Sequence, residues 1–371
     1  MSRLLHVFAT FAPGGPQVRT VRMIDALGGE FEHALVAMDG RTEAAGLLAE
    51  PERVQLIDPP PKAGSLRTVR ALRELIRAAA PDLLLTYNWG SIEAVLAARS
   101  LGQRRLLHHE DGFLPDEALR LKLRRSYARR LTLPWTRGVI LPSETLRDIA
   151  VGVWKLPPEH VHLIPNGIRV EDWPVRDGNP ELRRELGIPE GVFVVGAVGS
   201  LRGEKNFPRL VEAVSRLEDA HLLLLGEGPE RAAIEATRDR LGVERRVHLA
   251  GHRADPRPCY RAMDAFAISS DTEQMPVALL EAMAAELPVA ATAVGDVARM
   301  LPVEQALFVT PKDSDALARA LRELAGDPEL RSSLGAANRR RVLERYTFEG
   351  MLAAYRDLYR GALAEPARGR V

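Results

Sequence analysis

Two glutamates eight positions apart, Glu273 and Glu281, flank a proline in the stretch SDTEQMPVALLEAMAAELPVAAT (270–292). Pro276 suits a first helical turn, because an amide proton there would have no partner anyway. Glu273 then falls in the loop ahead of a helix and Glu281 inside it. Helix starts favour anions, so Gln274, Met275, Pro276 and Val277 open a candidate anion site. Carboxylates accept hydrogen bonds from hydroxyls, and one carboxylate can take both members of a vicinal diol. Taken alone, a loop acid and a solvated helix acid would read the same way. Glu281, however, sits between LL and AMAA, an unusual neighbourhood for an acid that merely faces water.

A cationic pair, Arg202 and Lys205, follows the apolar run FVVGAVGS (193–200), which ends at Ser200. Fixed cations at the carboxyl end of a strand can stabilise the negative charge that develops on a departing phosphate. Gly14 and Gly15 follow the first apolar run, and without a Cβ they let backbone approach a phosphate closely. Gly226, Glu227 and Gly228 follow HLLLL in the same manner. The run LLHHEDGFLPDE (106–117) offers His108, His109, Glu110 and Asp111 as polar groups at a strand end. They are too tightly adjacent to present three ligands tetrahedrally, so no metal is expected.

The elements that must position these residues alternate along the chain. Strand-like runs occur at 4–10, 33–38, 54–57, 82–87, 105–109, 138–143 and 161–165, with helical patterns at about 17–29, 66–79, 91–101 and 118–132. That order predicts βαβ units on a parallel sheet. A polar, proline-rich stretch (171–191) follows, and the pattern restarts with runs at 193–200, 221–226, 246–251, 264–270, 287–292 and 306–310. The expected fold is α/β, with two Rossmann-like doubly wound domains. Ligands of such sheets bind outside the carboxyl ends of the strands, so an interdomain cleft is the expected site.

Composition sets wide bounds. The 371 residues suit two domains, and 46% hydrophobic residues suffice for two cores. A formal net charge of +1 calls for no nucleic acid partner. The single cysteine, Cys259, fits a reducing cytoplasmic setting. The first residues do not read as a signal peptide, and no run of 18 apolar residues occurs, so any membrane association is expected at the surface.

Five segments in order, GGPQVRT near the start, IPNG (164–167), VGSLRGEKNF (198–207), LLLGEGPE (223–230) and the Glu273–Glu281 stretch, resemble glycosyltransferase family 4, of the GT-B architecture. The resemblance spans nearly the whole chain. It implies an acceptor-side domain (1–172), a nucleotide-sugar domain (173–344) and a last helix (345–363) crossing back onto the first domain, with Tyr346, Phe348, Tyr355 and Tyr359 as its packing residues. It implies a retaining, metal-independent hexosyl transfer from a nucleoside-diphosphate sugar, UDP- or GDP-linked, to a glycan or lipid-linked glycan. No other cofactor is implied. Glu273 would contact the transferred sugar and Glu281 the ribose. Lys205 and Arg202 would stabilise the leaving phosphate together with Gly15, and the 226–228 loop and Arg253 would lie near the nucleobase. Gln274 departs from the family's usual glycine, and Ser200 stands where its arginine usually does. The family's N-domain histidine corresponds to His109 on one alignment and to Asp111 on another, with His108 as a neighbour. Gln17, Tyr87, Asn88, Trp89 and His108 are candidates for the acceptor side.

Residues 119–137 hold seven Lys or Arg and no acid. Leu119, Leu123, Tyr127 and Leu131 recur at helical spacing, with Arg120, Lys122, Arg124, Arg125 and Arg129 around them. An anionic membrane surface or a phosphate-bearing lipid would suit such a helix, and so would plain solvent. No nucleic-acid motif accompanies the charge. Two other readings compete with transfer: a sugar-nucleotide binding protein without activity, and a nucleotide-sugar epimerase on the same fold. A nicotinamide enzyme is disfavoured because the first turn has GGP in place of G-x-G-x-x-G.

Overall fold

The computed structural model describes residues 1–61, 64–113, 117 and 121–364. Among the described residues, thirteen strands form two parallel sheets. The first contains β1 (Ser2–Phe8), β2 (Phe31–Ala37), β3 (Val54–Leu56), β4 (Leu83–Tyr87), β5 (Leu106–His109), β6 (Gly138–Leu141) and β7 (Val161–Leu163), in the order β3-β2-β1-β4-β5-β6-β7. The second contains β8 (Phe193–Val198), β9 (Ala220–Leu225), β10 (Val247–Gly251), β11 (Ala265–Ile268), β12 (Val289–Thr292) and β13 (Val309–Thr310), in the order β10-β9-β8-β11-β12-β13. Central strands such as Leu83–Tyr87 and Ala220–Leu225 are buried along their whole length, as strands covered on both faces must be.

The chain divides into two compact units, Gly167–Gly350 and Met1–Asn166 together with the segment from Met351 onward. Each unit thus reverses its strand order once, between β1 and β4 in the first and between β8 and β11 in the second. Loops that leave the carboxyl ends of strands at such a point diverge and leave room for a ligand. The division falls six residues before the 172/173 boundary read from the sequence, because Ile168 pairs with Thr347 and packs into the core of the second unit. Tyr346 belongs to that same core, and Phe348 lies beneath the Arg169 guanidinium. These two aromatics therefore serve the second unit. Tyr355 and Tyr359 are buried in the first.

Candidate active site

In the second unit the switch point brings together what the sequence separates by 68 residues. Lys205 ends a short turn (Gly203–Lys205) after β8, and Glu273 lies beyond the end of β11. Lys205 Nζ donates to Glu273 Oε1 at 2.6 Å, and Ser270 Oγ donates to the same oxygen at 2.7 Å. Ser269 Oγ in turn donates to the Lys205 carbonyl at 2.9 Å. Asn206, in a left-handed conformation, accepts from Arg209 N and starts the helix Phe207–Ser215. Both charged side chains remain partly accessible.

The helix Val277–Ala284 begins directly after Pro276, which is its N-cap and not its first residue. Met275 is buried in the apolar core, so its side chain faces away from any polar ligand. Gln274, Pro276 and Val277 are partly exposed. The Gln274 carbonyl accepts from Asp296 N at 3.0 Å, which ties the loop at 294–296 to the start of this helix. Gly295 permits that approach: a Cβ there would lie 2.2 Å from the Glu273 carbonyl oxygen, at a φ of +47°. Glu281 Oε2 accepts from the Tyr260 hydroxyl at 2.7 Å. Burial, and then the Glu281 carboxylate, push the Tyr260 phenol well above its ordinary range, so it stays a donor. No sequence signal singled out Tyr260.

Ser200 and the 226–228 loop lie side by side. Leu201 N donates to the Glu227 carbonyl and Gly199 N to the Leu225 carbonyl, both at 3.0 Å. A Cβ on Gly226 would fall 1.9 Å from the Gly199 carbonyl oxygen, so only glycine allows the contact. Glu227 pairs with Arg231, and Arg253 with Glu185. Arg202 is not brought into the Lys205–Glu273 pair. Its guanidinium is largely exposed and stands 4.0 Å from Glu204.

The first unit sorts its candidates by burial. His108 lies inside, with Nδ1 2.8 Å from Thr86 Oγ1. His109 is stacked between Tyr87, at 4.3 Å, and Tyr355, at 5.8 Å. Its Nδ1 is 3.3 Å from the Thr86 carbonyl and its Nε2 is 3.4 Å from the Tyr359 hydroxyl. Burial, reinforced by the Arg19 charge, holds its pKa well below the ordinary value, so the ring is neutral. Tyr87 is equally buried, against Phe8 at 3.7 Å, with its hydroxyl 2.9 Å from His6 Nδ1. Tyr87 and His108, both candidates for the acceptor side, lie buried at the end of the sheet.

Asp111 is the polar group left at the strand end. Its Oδ1 accepts from Arg19 Nη1 at 2.6 Å, and its backbone amide donates to Asn88 Oδ1 at 2.7 Å. Arg19 also donates to Asn166 Oδ1 at 2.9 Å. Asp111 Oδ2 and Arg19 Nε are buried without a hydrogen-bond partner. Arg19, likewise missed from sequence, reaches this place from the helix Gly15–Leu27. Gly14 caps that helix, and Gly15 has open space where a Cβ would be. Gln17 braces the loop by donating to the Thr10 carbonyl at 3.0 Å. Trp89 is half-buried, with the Arg125 and Arg129 guanidinium groups 5.4 and 5.2 Å from its ring. Beyond β1 and β2 a hollow of about 370 Å³ is lined by Met38, Pro60, Pro61 and two carboxylates, Asp39 and Glu93. Among the described residues no group of three or more His, Cys, Asp or Glu side chains is placed to hold a metal ion.

Two family models match. Residues 13–172 match "Glycosyltransferase Family 4" and residues 178–341 match "Glycosyl transferases group 1". The chain belongs to glycosyltransferase family 4. Family 4 membership agrees with relatives such as the lipopolysaccharide core biosynthesis glycosyltransferase LpsD of Rhizobium meliloti. That protein is 34% identical over 191 residues, or 51% of this chain and 56% of the relative. The chain spans a little over half the length of the first curated relatives it matches. Among solved structures, sucrose-phosphate synthase from Thermosynechococcus elongatus superposes with a TM-score of 0.83 at 21% identity. The alignment covers 98% of this chain and 100% of that one. HepE from Anabaena, in complex with UDP and glucose, gives 0.84 at 19% identity, covering 97% and 100%. These likenesses fix the architecture as the two-domain α/β GT-B fold.

Proposed function

We propose that this member of family 4 transfers a hexose from a nucleoside-diphosphate sugar to a hydroxyl of a glycan or lipid-linked glycan, with retention of configuration and without a metal ion. The Lys205–Glu273 pair at the switch point of the second unit carries the reading. A donor diphosphate would draw the ammonium away from the carboxylate. Glu273 would then accept from a hydroxyl of the transferred sugar, and Lys205 would neutralise the leaving phosphate. Glu281, oriented by Tyr260, is suited to the ribose diol. Arg202, long and exposed, could swing to the diphosphate. In the first unit, Asp111 replaces the buried His109 as the group offered to the sugar, and the acidic hollow near Asp39 and Glu93 is suited to acceptor hydroxyls.

In a retaining transfer the acceptor hydroxyl attacks from the face the phosphate leaves, and a phosphate oxygen takes its proton. A UDP donor is in keeping with the UDP and glucose of the HepE complex, and a lipopolysaccharide-type glycan with the name of LpsD. A cytoplasmic site of action, at the inner face of the membrane for a lipid-linked acceptor, belongs to the same reading. No helix among the described residues is long and apolar enough to cross a membrane.

Calorimetry against UDP-, GDP-, ADP- and dTDP-sugars with EDTA present tests the donor side. One diphosphate sugar is expected to bind selectively and to lose affinity in Lys205→Ala. A donor that binds yet is neither transferred nor slowly hydrolysed would favour the non-catalytic binding protein. If none binds folded protein, the donor assignment fails. NMR of the product's anomeric proton reports retention or inversion.

A further inference from the structure

The basic segment folds with its polarity reversed. Leu119 and Arg120 lie outside the described residues; from Leu123 to Thr132 the chain is helical, with a short turn at Leu133–Trp135. A helix anchored to a domain normally turns its apolar side inward. Here Arg129 is the fully buried side chain. It grips Glu110 through Nε at 2.9 Å and Nη2 at 3.2 Å, and its guanidinium sits among Trp89, Phe113 and Trp154. Arg125 pairs with Glu117 at 3.0 Å. The large apolar side chains point the other way: Leu123, Tyr127, Leu131 and Trp135 are 70%, 61%, 67% and 52% exposed. Leu123, Tyr127 and Leu131, four residues apart on the helix, align in one stripe, and Trp135 follows in the short turn at its end.

Contiguous exposed apolar surface marks a partner. The rim of this stripe specifies which. Lys122, Arg124 and Arg130 on the same segment are exposed, and Arg99 lies over the Trp135 ring at 3.6 Å. An occupant must offer apolar depth to the stripe and negative charge to its margins. An anionic lipid bilayer offers both, acyl chains beneath a layer of phosphate head groups. Tyr127 and Trp135 are also the aromatic types that settle at the water–hydrocarbon boundary. We propose that the Leu123–Tyr127–Leu131–Trp135 stripe and its cationic rim dock the first unit onto an anionic membrane surface. The ion pairs of Arg129 and Arg125 hold the helix in this orientation, so the docking face is built in advance.

The proposal stands apart from the transferase reading, because vesicle binding is measured without donor. The full chain is sedimented with vesicles of phosphatidylcholine, with and without phosphatidylglycerol. Anionic vesicles are expected to bind at least about tenfold more tightly, with the difference falling at high salt. Tryptophan fluorescence is expected to be quenched by brominated lipid, and Trp135→Phe to remove that quenching. Tyr127→Ser with Leu131→Ser, and separately Arg124→Glu with Arg130→Glu, are expected to cut binding about tenfold with Tm unchanged, because these side chains face water. Absent binding, or equal binding to neutral and anionic vesicles, overturns the proposal. So does a dimer in light scattering that the Tyr127→Ser, Leu131→Ser variant abolishes, which would make the stripe a self-association face.

Discussion

A lysine ammonium and a glutamate carboxylate 2.6 Å apart neutralise each other, and an incoming diphosphate competes for the first of them. Lys205→Ala should lower the transfer rate by about 30- to 1,000-fold, from about 2–4 kcal/mol of lost transition-state stabilisation. Steady-state kinetics with the selected donor checks it. Tyr260→Phe removes one donor from Glu281 and should weaken donor affinity about fivefold, read by calorimetry. Asp111 and His109 separate by readout. Asp111→Asn should abolish most transfer while the fold persists, whereas His109→Asn should lower Tm sharply, since its ring is a layer of the Tyr87–His109–Tyr355 stack. Arg19→Gln strands a buried carboxylate and should cost about 3–5 kcal/mol in urea unfolding. The carboxylates on either side of Pro276 were legible because a chemical motif carried them. Arg19 and Tyr260 were not, since a lone arginine in a helix and a tyrosine after Cys259 carry no local mark of their distant partners.

At the scale of elements, neighbouring strands pair histidines in both sheets. His6 Nε2 lies 3.0 Å from His33 Nδ1 across β1 and β2, and His221 Nδ1 lies 2.9 Å from His248 Nε2 across β9 and β10. Burial lowers all four, with His33 and His221 brought down to about 4. Above pH 6.5 both folded and unfolded chains hold these rings neutral. Between pH 6.5 and 4 the unfolded chain binds protons that the folded one refuses, so stability falls as the pH drops. His33 alone should forfeit about 2 kcal/mol at pH 5. Melting curves from pH 7.5 to 5 are expected to show falling Tm, with a smaller drop in His33→Gln. The strands themselves were readable, since runs such as HLLLL lie buried on both faces. The polarity of the 123–132 helix was not. Its arginines read as a solvated or lipid-facing set, because the acids that pull Arg129 and Arg125 inward, Glu110 and Glu117, precede the segment and lie outside its helical periodicity.

For the whole molecule, the cut between units falls ahead of the proline-rich stretch. The proline-rich stretch looked like the joint, yet Ile168 and Val170 pack into the second core ahead of it, and Trp173 does so within it. The returning helix Phe348–Ala364 makes a prediction at this scale. Tyr355 and Tyr359 are buried against His109 and Phe31, and Arg356 and Arg360 both reach Glu30, at 2.8 and 2.7 Å. Truncation after Gly350 removes all four. Hydrogen exchange should then accelerate in β1, β4 and β5 while β8, β9 and β11 keep their protection. Equal acceleration in both sheets would contradict the assignment of this segment to the first unit.

The same returning helix bears on how the chain is born. A ribosome releases the amino terminus first, and domains usually fold in that order. Here the first unit emerges without Tyr355 and Tyr359, so the aromatic stack around His109 stays unfinished while Gly167–Gly350 is made. At ordinary elongation speeds the wait is roughly 10–40 s. The segment made later can complete its own core before the segment made earlier, and the nascent amino-terminal half is the part a chaperone would need to shelter.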